Sequence, residues 1–359
     1  MPDYSISVSE LPHAIEWKNG DLYLLDQTLL PHQEVMEQQL SVEQVWQAIR
    51  ELKVRGAPAI GIAAAYGLCV ALKDSVNLPV DQFIKMAKEK AAFLDSARPT
   101  AVNLSWAMKR MVARLGQAQK GTSRELYESL VDEAEKIHAE DIALCNGMGI
   151  MGAPLIKDGM GIMTHCNAGS IATSASGTAT APMYLAHQNG IRFKVYANET
   201  RPLLQGARLT SWELQRAGLD VTLITDNMAA HMMATGQIDM VIVGTDRVAA
   251  NGDVANKIGT LGVAILADYY QIPFYVACPS STIDMDTVCG SDIVIEERSG
   301  DEVTSILGRR IAPENIKTRC PAFDVTPNKL VSGIITESQI ITAPYDKGLR
   351  DFFKGKENG

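Results

Sequence analysis

The chain has 359 residues, 46% hydrophobic and 21% charged, an ordinary globular balance. Its net charge is −9 and no basic block stands out, which argues against nucleic acid as the main partner, because phosphate-backbone binding needs clustered Lys and Arg. A small phosphate ligand held by two or three cations inside a cleft stays open. The opening MPDYSISVSE is neither basic nor apolar enough for a signal peptide. A small sheet comes next: residues 14–18 and Asp21–Leu25 flank Asn19-Gly20, the strongest short hairpin signal. Ser41 then opens an amphipathic helix, with Gln44 three residues on as in a capping box. A loop over Val54, Arg55, Gly56 and Ala57 leads into a helix with Pro58 at its first position. The apolar run 58–72 is shorter than the ~20 residues a membrane span needs, so no membrane partner is expected. Helices are predicted over 81–95, 101–115 and 124–146.

From about residue 150 strands and helices alternate. Strands are predicted at Gly161–Thr164, 192–196, Asp220–Ile224, 240–244, 273–277 and 292–296. Helices fall at 180–188, 203–217, 228–235 and 260–270. Alternation with apolar strands means a parallel sheet covered on both faces. The fold class is therefore α/β: an N-terminal mostly helical domain with a small antiparallel sheet, residues 1–145, and a C-terminal Rossmann-like domain with a parallel sheet, residues 146–359. One motif is a decoy. Gly147-Met-Gly149-Ile-Met-Gly152 matches GxGxxG but continues a helical pattern before the first strand. The dinucleotide fingerprint must follow a strand and open a helix. Small residues for close helix packing are the better reading.

The six cysteines show no CxxC pair and no zinc-like spacing with the six histidines. Scattered thiols and no secretory signal predict a reduced, cytoplasmic chain. Cys69, Cys145 and Cys278 read as buried structural thiols. Cys166 differs. Thr164-His165-Cys166-Asn167-Ala168-Gly169 ends an apolar strand and opens a loop of small residues, where a following helix start stabilises a thiolate. Val241-Ile-Val-Gly-Thr-Asp246 has the same form, an apolar strand ending in a carboxylate. If both strands share one parallel sheet, Cys166 and Asp246 lie at the edge where ligands of open α/β sheets bind. The bland reading of Asp246 is a helix cap or an ion pair with Arg247. Residues 247–260 after it read as a loop carrying Asn256 and Lys257 to a helix start suited to an anion. Glu199, Arg201 and Gln205 follow another strand and suit a hydroxyl or a phosphate, or a solvated Glu–Arg connection. Thr225-Asp226-Asn227 either lines the same crevice or caps a helix. Arg55 and Arg98 each precede a helix start, where guanidinium and free N–H groups make a phosphate clamp. No HExxH, GxSxG or Walker motif occurs.

Taken together, six segments resemble the methylthioribose-1-phosphate isomerases of methionine salvage. They are Arg55-Gly-Ala-Pro-Ala-Ile-Gly61, Ala97-Arg-Pro-Thr100, Thr164-His-Cys-Asn-Ala-Gly169, Glu199-Thr-Arg-Pro-Leu-Leu-Gln-Gly-Ala-Arg208, Asp246-Arg-Val-Ala-Ala-Asn-Gly-Asp-Val-Ala-Asn-Lys-Ile-Gly-Thr260 and Pro321-Ala-Phe-Asp-Val-Thr-Pro327. They run in order over nearly the whole chain. The resemblance implies an aldose–ketose isomerase, homodimeric, acting on a small sugar phosphate without metal or other cofactor. It implies Asp246 and Cys166 as the catalytic pair, and assigns Arg55, Gly56, Ala57, Arg98, Gln205, Asn256 and Lys257 to substrate binding. Thr245 stands where the pattern has a smaller residue, and Cys320 where it has Asn. The wider family also holds ribose-1,5-bisphosphate isomerases and regulatory subunits of the translation-initiation exchange factor. The latter are not expected to keep the thiol–carboxylate pair.

Overall fold

The computed structural model describes residues 11–98, 101–117 and 121–357. The N-terminal MPDYSISVSE and the predicted helix start at Pro99-Thr100 lie outside the described residues. Two compact units result: Pro12–Cys145 together with Ser170–Gly177, and Asn146–Gly169 together with the chain from Thr178 onward. The short segment Ser170–Gly177 is grouped with the first unit, which a division at one point of the chain cannot express.

In the first unit, β1 (Ile15–Lys18), β2 (Asp21–Leu25) and β3 (Met36–Gln39) form an antiparallel sheet. Asn19 and Gly20 both take positive φ in the β1–β2 turn, as the hairpin signal requires. The helices are α1 (Val42–Arg50), α2 (Ala57–Leu72), α3 (Val80–Asp95), α4 (Val102–Gln117) and α5 (Ser123–Gly152), the last belonging to this unit as far as Cys145. Ser41 accepts from the Gln44 N–H, and Gln44 reaches back to the N–H of Leu40 rather than to that of Ser41. Helix α2 is apolar all round because it is central: it packs against α1, α3 and α4. With the 3₁₀ turn that follows, it forms a 19-residue stretch long and apolar enough to cross a membrane by length and composition, yet 67% of its 18-residue apolar window is buried. Gly67 lets α1 approach, since a Cβ there would meet Val45 at 2.6 Å.

Asp141 on α5 is buried, and its carboxylate accepts the Ser174 N–H at 2.8 Å. Burial pushes its pKa up to about 6, against the hydrogen bonds from Ser174. Between the ordinary carboxyl value and about 6 the folded chain therefore holds a proton that the unfolded chain has lost, so stability falls as pH rises through that window. Asp141→Asn keeps an acceptor for Ser174 and removes the buried charge. It is expected to stabilise the protein by about 1–3 kcal/mol at pH 7 and by little at pH 4, read from denaturant melts at both.

The second unit opens with the last turn of α5, which contains the GxGxxG match. Cβ atoms at Gly147 and Gly152 would meet Glu337 O at 2.3 Å and Pro182 Cγ at 2.4 Å, so these glycines serve close packing. The unit then runs β4 (Gly161–Thr164), α6 (Ala181–Gln188), β5 (Lys194–Asn198), α7 (Ser211–Arg216), β6 (Asp220–Ile224), α8 (Ala229–Ala234), β7 (Met240–Val243), β8 (Arg247–Ala249), β9 (Val254–Lys257), α9 (Thr260–Tyr269), β10 (Phe274–Ala277), β11 (Ile283–Asp284), α10 (Asp301–Thr304), β12 (Ser305–Ile306), β13 (Arg309–Arg310), β14 (Phe323–Thr326), β15 (Gly333–Ile335), β16 (Ile340–Ile341) and α11 (Tyr345–Glu357). The main sheet has the order β16-β15-β10-β7-β4-β5-β6, parallel except for β16. Numbered within this unit, the six parallel strands run 3-2-1-4-5-6, the Rossmann-type order, whose direction reverses between β4 and β7. A smaller sheet, β11-β8-β9-β14, and the ribbon β12–β13 complete it.

Three expectations need correction. No strand forms at 292–296: Val294 is 82% exposed, and an Ile-Val-Ile run without a covering layer has no reason to pair. The sixth parallel strand is β15, only three residues long and fully buried. The predicted helix 203–217 is broken by a π-helical stretch, Gly206–Thr210, before α7. Residues 247–257 are not a loop but the hairpin β8–β9, turning through Gly252 at φ +88°.

Candidate active site

Strands β4 and β7 pair in parallel, Ile162 opposite Met240 and Met163 opposite Val241. Cys166 lies two residues past the end of β4 and Asp246 three past the end of β7. Both therefore stand at the carboxyl edge, where the strand order reverses and an open α/β sheet leaves a crevice. Gly244 brings the two loops together. A Cβ at that position would lie 2.5 Å from Ala168 Cβ, so only glycine lets the Cys166 loop settle against the end of β7.

Cys166 is half-buried and takes φ +65°. Its neighbours hold it in that left-handed conformation: its N–H donates to Thr200 Oγ1 at 2.8 Å and its carbonyl accepts from Thr210 Oγ1 at 2.6 Å. Thr200 is itself at φ +65°, a rare conformation for a β-branched residue. Strained backbone of this kind persists where the surroundings over-determine it, and it clusters at functional sites. Asp226 supplies part of that determination. Its carboxylate accepts the N–H groups of Thr200 at 2.8 Å and Arg201 at 2.7 Å, so it braces the β5 loop instead of capping the helix after it. Next to Cys166, Asn167 donates to the buried Glu213 at 2.6 Å. By contrast Cys69, Cys145 and Cys278 are fully buried, and burial pushes each thiol well up from its ordinary range. They suit packing rather than nucleophilic or acid–base work.

Asp246 is half-buried and is followed by strand β8, which leaves no helix for it to cap. Its N–H donates to Ala255 O at 3.0 Å. Thr245 Oγ1 donates to Ala255 O at 2.7 Å and accepts the Arg247 N–H at 3.2 Å, so the larger residue before the aspartate fastens the turn that presents it. Arg247 pairs with Asp284 at 3.3 Å.

Asn256 and Lys257 end β9. Asn256 is buried and donates to Thr260 Oγ1 at 3.0 Å, while Lys257 lies half-exposed with its ammonium 4.4 Å from the Phe323 ring. The start of α9 is already partly neutralised. Asp324 accepts the N–H groups of Gly259 at 2.7 Å and Leu261 at 3.0 Å, which leaves Lys257, rather than those helix N–H groups, to attract an anion. Gln205 is buried and its Oε1 has no hydrogen-bond partner, a buried acceptor open to a ligand donor. Arg201 is spent on carbonyls, those of Pro202 at 3.1 Å and Val303 at 2.9 Å. In the first unit, Arg55 is buried and Arg98 half-buried. Gly56 caps α2 at φ +96°, and a Cβ there would lie 2.4 Å from Ala172 O. Among the described residues no cluster of three or more His, Cys, Asp or Glu is arranged to hold a metal ion.

His165, beside the cysteine, went unassigned in the sequence. It is 1% exposed. Its Nε2 lies 2.9 Å from Ile258 O and its Nδ1 3.2 Å from Asn198 Nδ2. Burial holds its pKa below the ordinary imidazole value, partly opposed by the Ile258 carbonyl and the Asp226 charge.

A Rossmann-type sheet thus carries Cys166 and Asp246 on adjoining loops at its switch point, the edge at which open α/β sheets bind ligands. A family model described as "Initiation factor 2 subunit family" matches residues 53–343, and the chain belongs to that family. It is 53% identical over 340 residues to a 5-deoxyribose 1-phosphate isomerase of Bacillus thuringiensis, covering 95% of this chain and 98% of the relative. A 5-deoxyribose 1-phosphate isomerase of Clostridium botulinum is 52% identical over 343 residues, covering 95% and 98%. The crystal structure of 5-methylthioribose 1-phosphate isomerase from Pyrococcus horikoshii aligns with a TM-score of 0.93 and 42% identity, over 98% of this chain and 99% of that one. A structure described as translation initiation factor eIF-2B subunit delta from A. fulgidus aligns with a TM-score of 0.85 and 43% identity, over 94% and 99%.

Proposed function

We propose that this sugar-phosphate isomerase of the initiation factor 2 subunit family converts 5-methylthioribose 1-phosphate to 5-methylthioribulose 1-phosphate, a step of methionine salvage. The observation that carries the reading is the thiol–carboxylate pair on touching loops at the switch point. A phosphate on the anomeric carbon blocks simple ring opening to an aldehyde, so the C1–O4 bond breaks only as O4 gains a proton. In the proposed mechanism Asp246 is the acid that supplies it. The C2 hydrogen then moves to C1, and the C2 hydroxyl gives its proton back to the Asp246 carboxylate as it becomes the ketone. Cys166 acts as the base at C2 when the hydrogen moves as a proton, or steadies developing charge when it moves as hydride. Lys257, Asn256, Gln205, Arg55, Gly56, Ala57 and Arg98 are proposed to bind the sugar phosphate.

A second reading, 5-deoxyribose 1-phosphate as the substrate, is supported by the names of the relatives at 52–53% identity. The two sugars differ by one methylthio group; a single methylene already discriminates by about 10–200-fold in kcat/KM, and the larger methylthio group should do at least as much. Purified protein is to be assayed for ketose formation with both sugars and with ribose 1,5-bisphosphate. The expected order is 5-methylthioribose 1-phosphate above 5-deoxyribose 1-phosphate, with the bisphosphate last. A reversed order of the first two establishes the second reading. Absence of turnover with all three refutes the isomerase reading and leaves a regulatory protein on the same scaffold.

A further inference from the structure

We propose that His165 is a positioning residue, a neutral imidazole that ties the Cys166 segment to the end of β5 on one side and to the end of β9 on the other. This rests on the reading of Cys166 and Lys257 as site residues.

For a neutral ring, which burial favours, the hydrogen-bond chemistry fixes the tautomer. A carbonyl only accepts, so the Nε2 facing Ile258 O at 2.9 Å carries the proton. In a neutral ring Nδ1 is then an acceptor, and Asn198 Nδ2 donates to it at 3.2 Å. No side chain other than His offers a donor and an acceptor at that separation on one flat, rigid ring. Shape points the same way. Gly259 takes φ +101°, and a Cβ there would lie 2.9 Å from the His165 Cε1, so the ring occupies the space that the absent side chain leaves.

Each arm ends on the candidate site. Ile258 follows Lys257 and precedes Gly259, whose N–H is fixed by Asp324. The Nε2 arm thus sets where the β9 end stands relative to Cys166. Asn198 begins the other arm. Its carbonyl accepts from Thr200 Oγ1 at 3.0 Å, and the same oxygen of Thr200 accepts the Cys166 N–H. Asn198 is fully buried, and with Nδ2 engaged by His165 its Oδ1 has no partner. The imidazole therefore also fixes which end of that amide faces away from it.

Two conservative variants separate the arms. In His165→Gln the amide reaches the Nε2 position and keeps the donor to Ile258 but not the acceptor for Asn198. In His165→Asn the shorter side chain reaches the Nδ1 position and keeps the acceptor but not the donor. The expected result is a split. His165→Gln should lose at least ten-fold in kcat with KM within three-fold of the parent, and His165→Asn should raise KM at least ten-fold with the smaller loss in kcat. Alkylation of Cys166 by iodoacetamide, followed by peptide mass spectrometry, gives a readout independent of turnover. Its rate should change at least three-fold in His165→Gln and stay at the parent value in His165→Asn. Equal alkylation rates in both variants, or kcat and KM moving together in both in proportion to lost thermal stability, overturn the proposal. Should the parent turn over no sugar phosphate, the functional reading fails while the alkylation comparison still decides the role of His165.

Discussion

Asp246→Asn is expected to lower kcat by about 10²–10⁴-fold, the range that a positioned acid contributes, while KM changes by a few-fold at most. An amide still donates a hydrogen bond to the ring oxygen but transfers no proton, so the leaving oxygen departs as an alkoxide. The substitution spares the two bonds that hold the turn on which Asp246 sits. The turn before β8 is held by the Asp246 N–H on Ala255 O and by the Thr245 hydroxyl, neither of which involves the carboxyl group. Loss of kcat at constant KM is the signature of an interaction made in the transition state. Ketose formation measured across substrate concentration provides the check, and a near-normal kcat removes Asp246 from the mechanism.

Cys166→Ser is expected to fall by a comparable factor, about 10²–10⁴-fold in kcat. A serine hydroxyl at the same strained position ionises far less readily than a thiol and is a poorer base at C2. Cys278→Ser is the matched control. Cys278 is fully buried at the end of β10, where its N–H donates to Ile335 O, and its change should leave kcat within three-fold. The hydroxyl added to that apolar site costs about 1–3 kcal/mol of stability if left unpaired, which appears in the melting temperature. Equal losses of kcat in both variants refute a special role for Cys166. Deuterium at C2 of the substrate then distinguishes the two routes. Complete washout into solvent excludes a direct hydride shift, and full retention favours it.

Much of the scaffold was legible because its signals are local. Asn19-Gly20 marks a hairpin by the φ values it permits, and Met240–Val243 marks a buried strand by composition alone. The carboxyl-edge placement of Cys166 and Asp246 followed from two apolar runs each ending in a reactive side chain, once both strands were assigned to one sheet. The failures are nonlocal. At 292–296 three apolar residues suggested a strand, but burial depends on a layer that the rest of the chain does not supply there. Gly333–Ile335 is too short to show a period, and it is a strand only because β10 lies beside it. At the start of α9 two of the helix N–H groups expected to face an anion are bonded to Asp324, which comes from 63 residues further along the chain than Leu261. His165 was hidden for the same reason: its meaning lies in a carbonyl 93 residues away and an amide 33 away. The one local hint was its position beside Cys166, which by itself does not distinguish a core histidine from a bracket.

The left-handed backbone at Cys166 gives evolutionary drift at this position a direction. A side chain at φ +65° carries a steric penalty on the order of 1–3 kcal/mol, which glycine escapes and asparagine tolerates. If Cys166 has the proposed role, that role is what offsets the penalty at this position. Once turnover stops mattering to the host, random substitution at position 166 finds its stabilising exits among residues that abolish acid–base chemistry, and the scaffold is left firmer without it. On the proposed roles, loss of catalysis would come more readily than loss of ligand recognition, because Gln205, Asn256 and Lys257 stand at positions without that penalty.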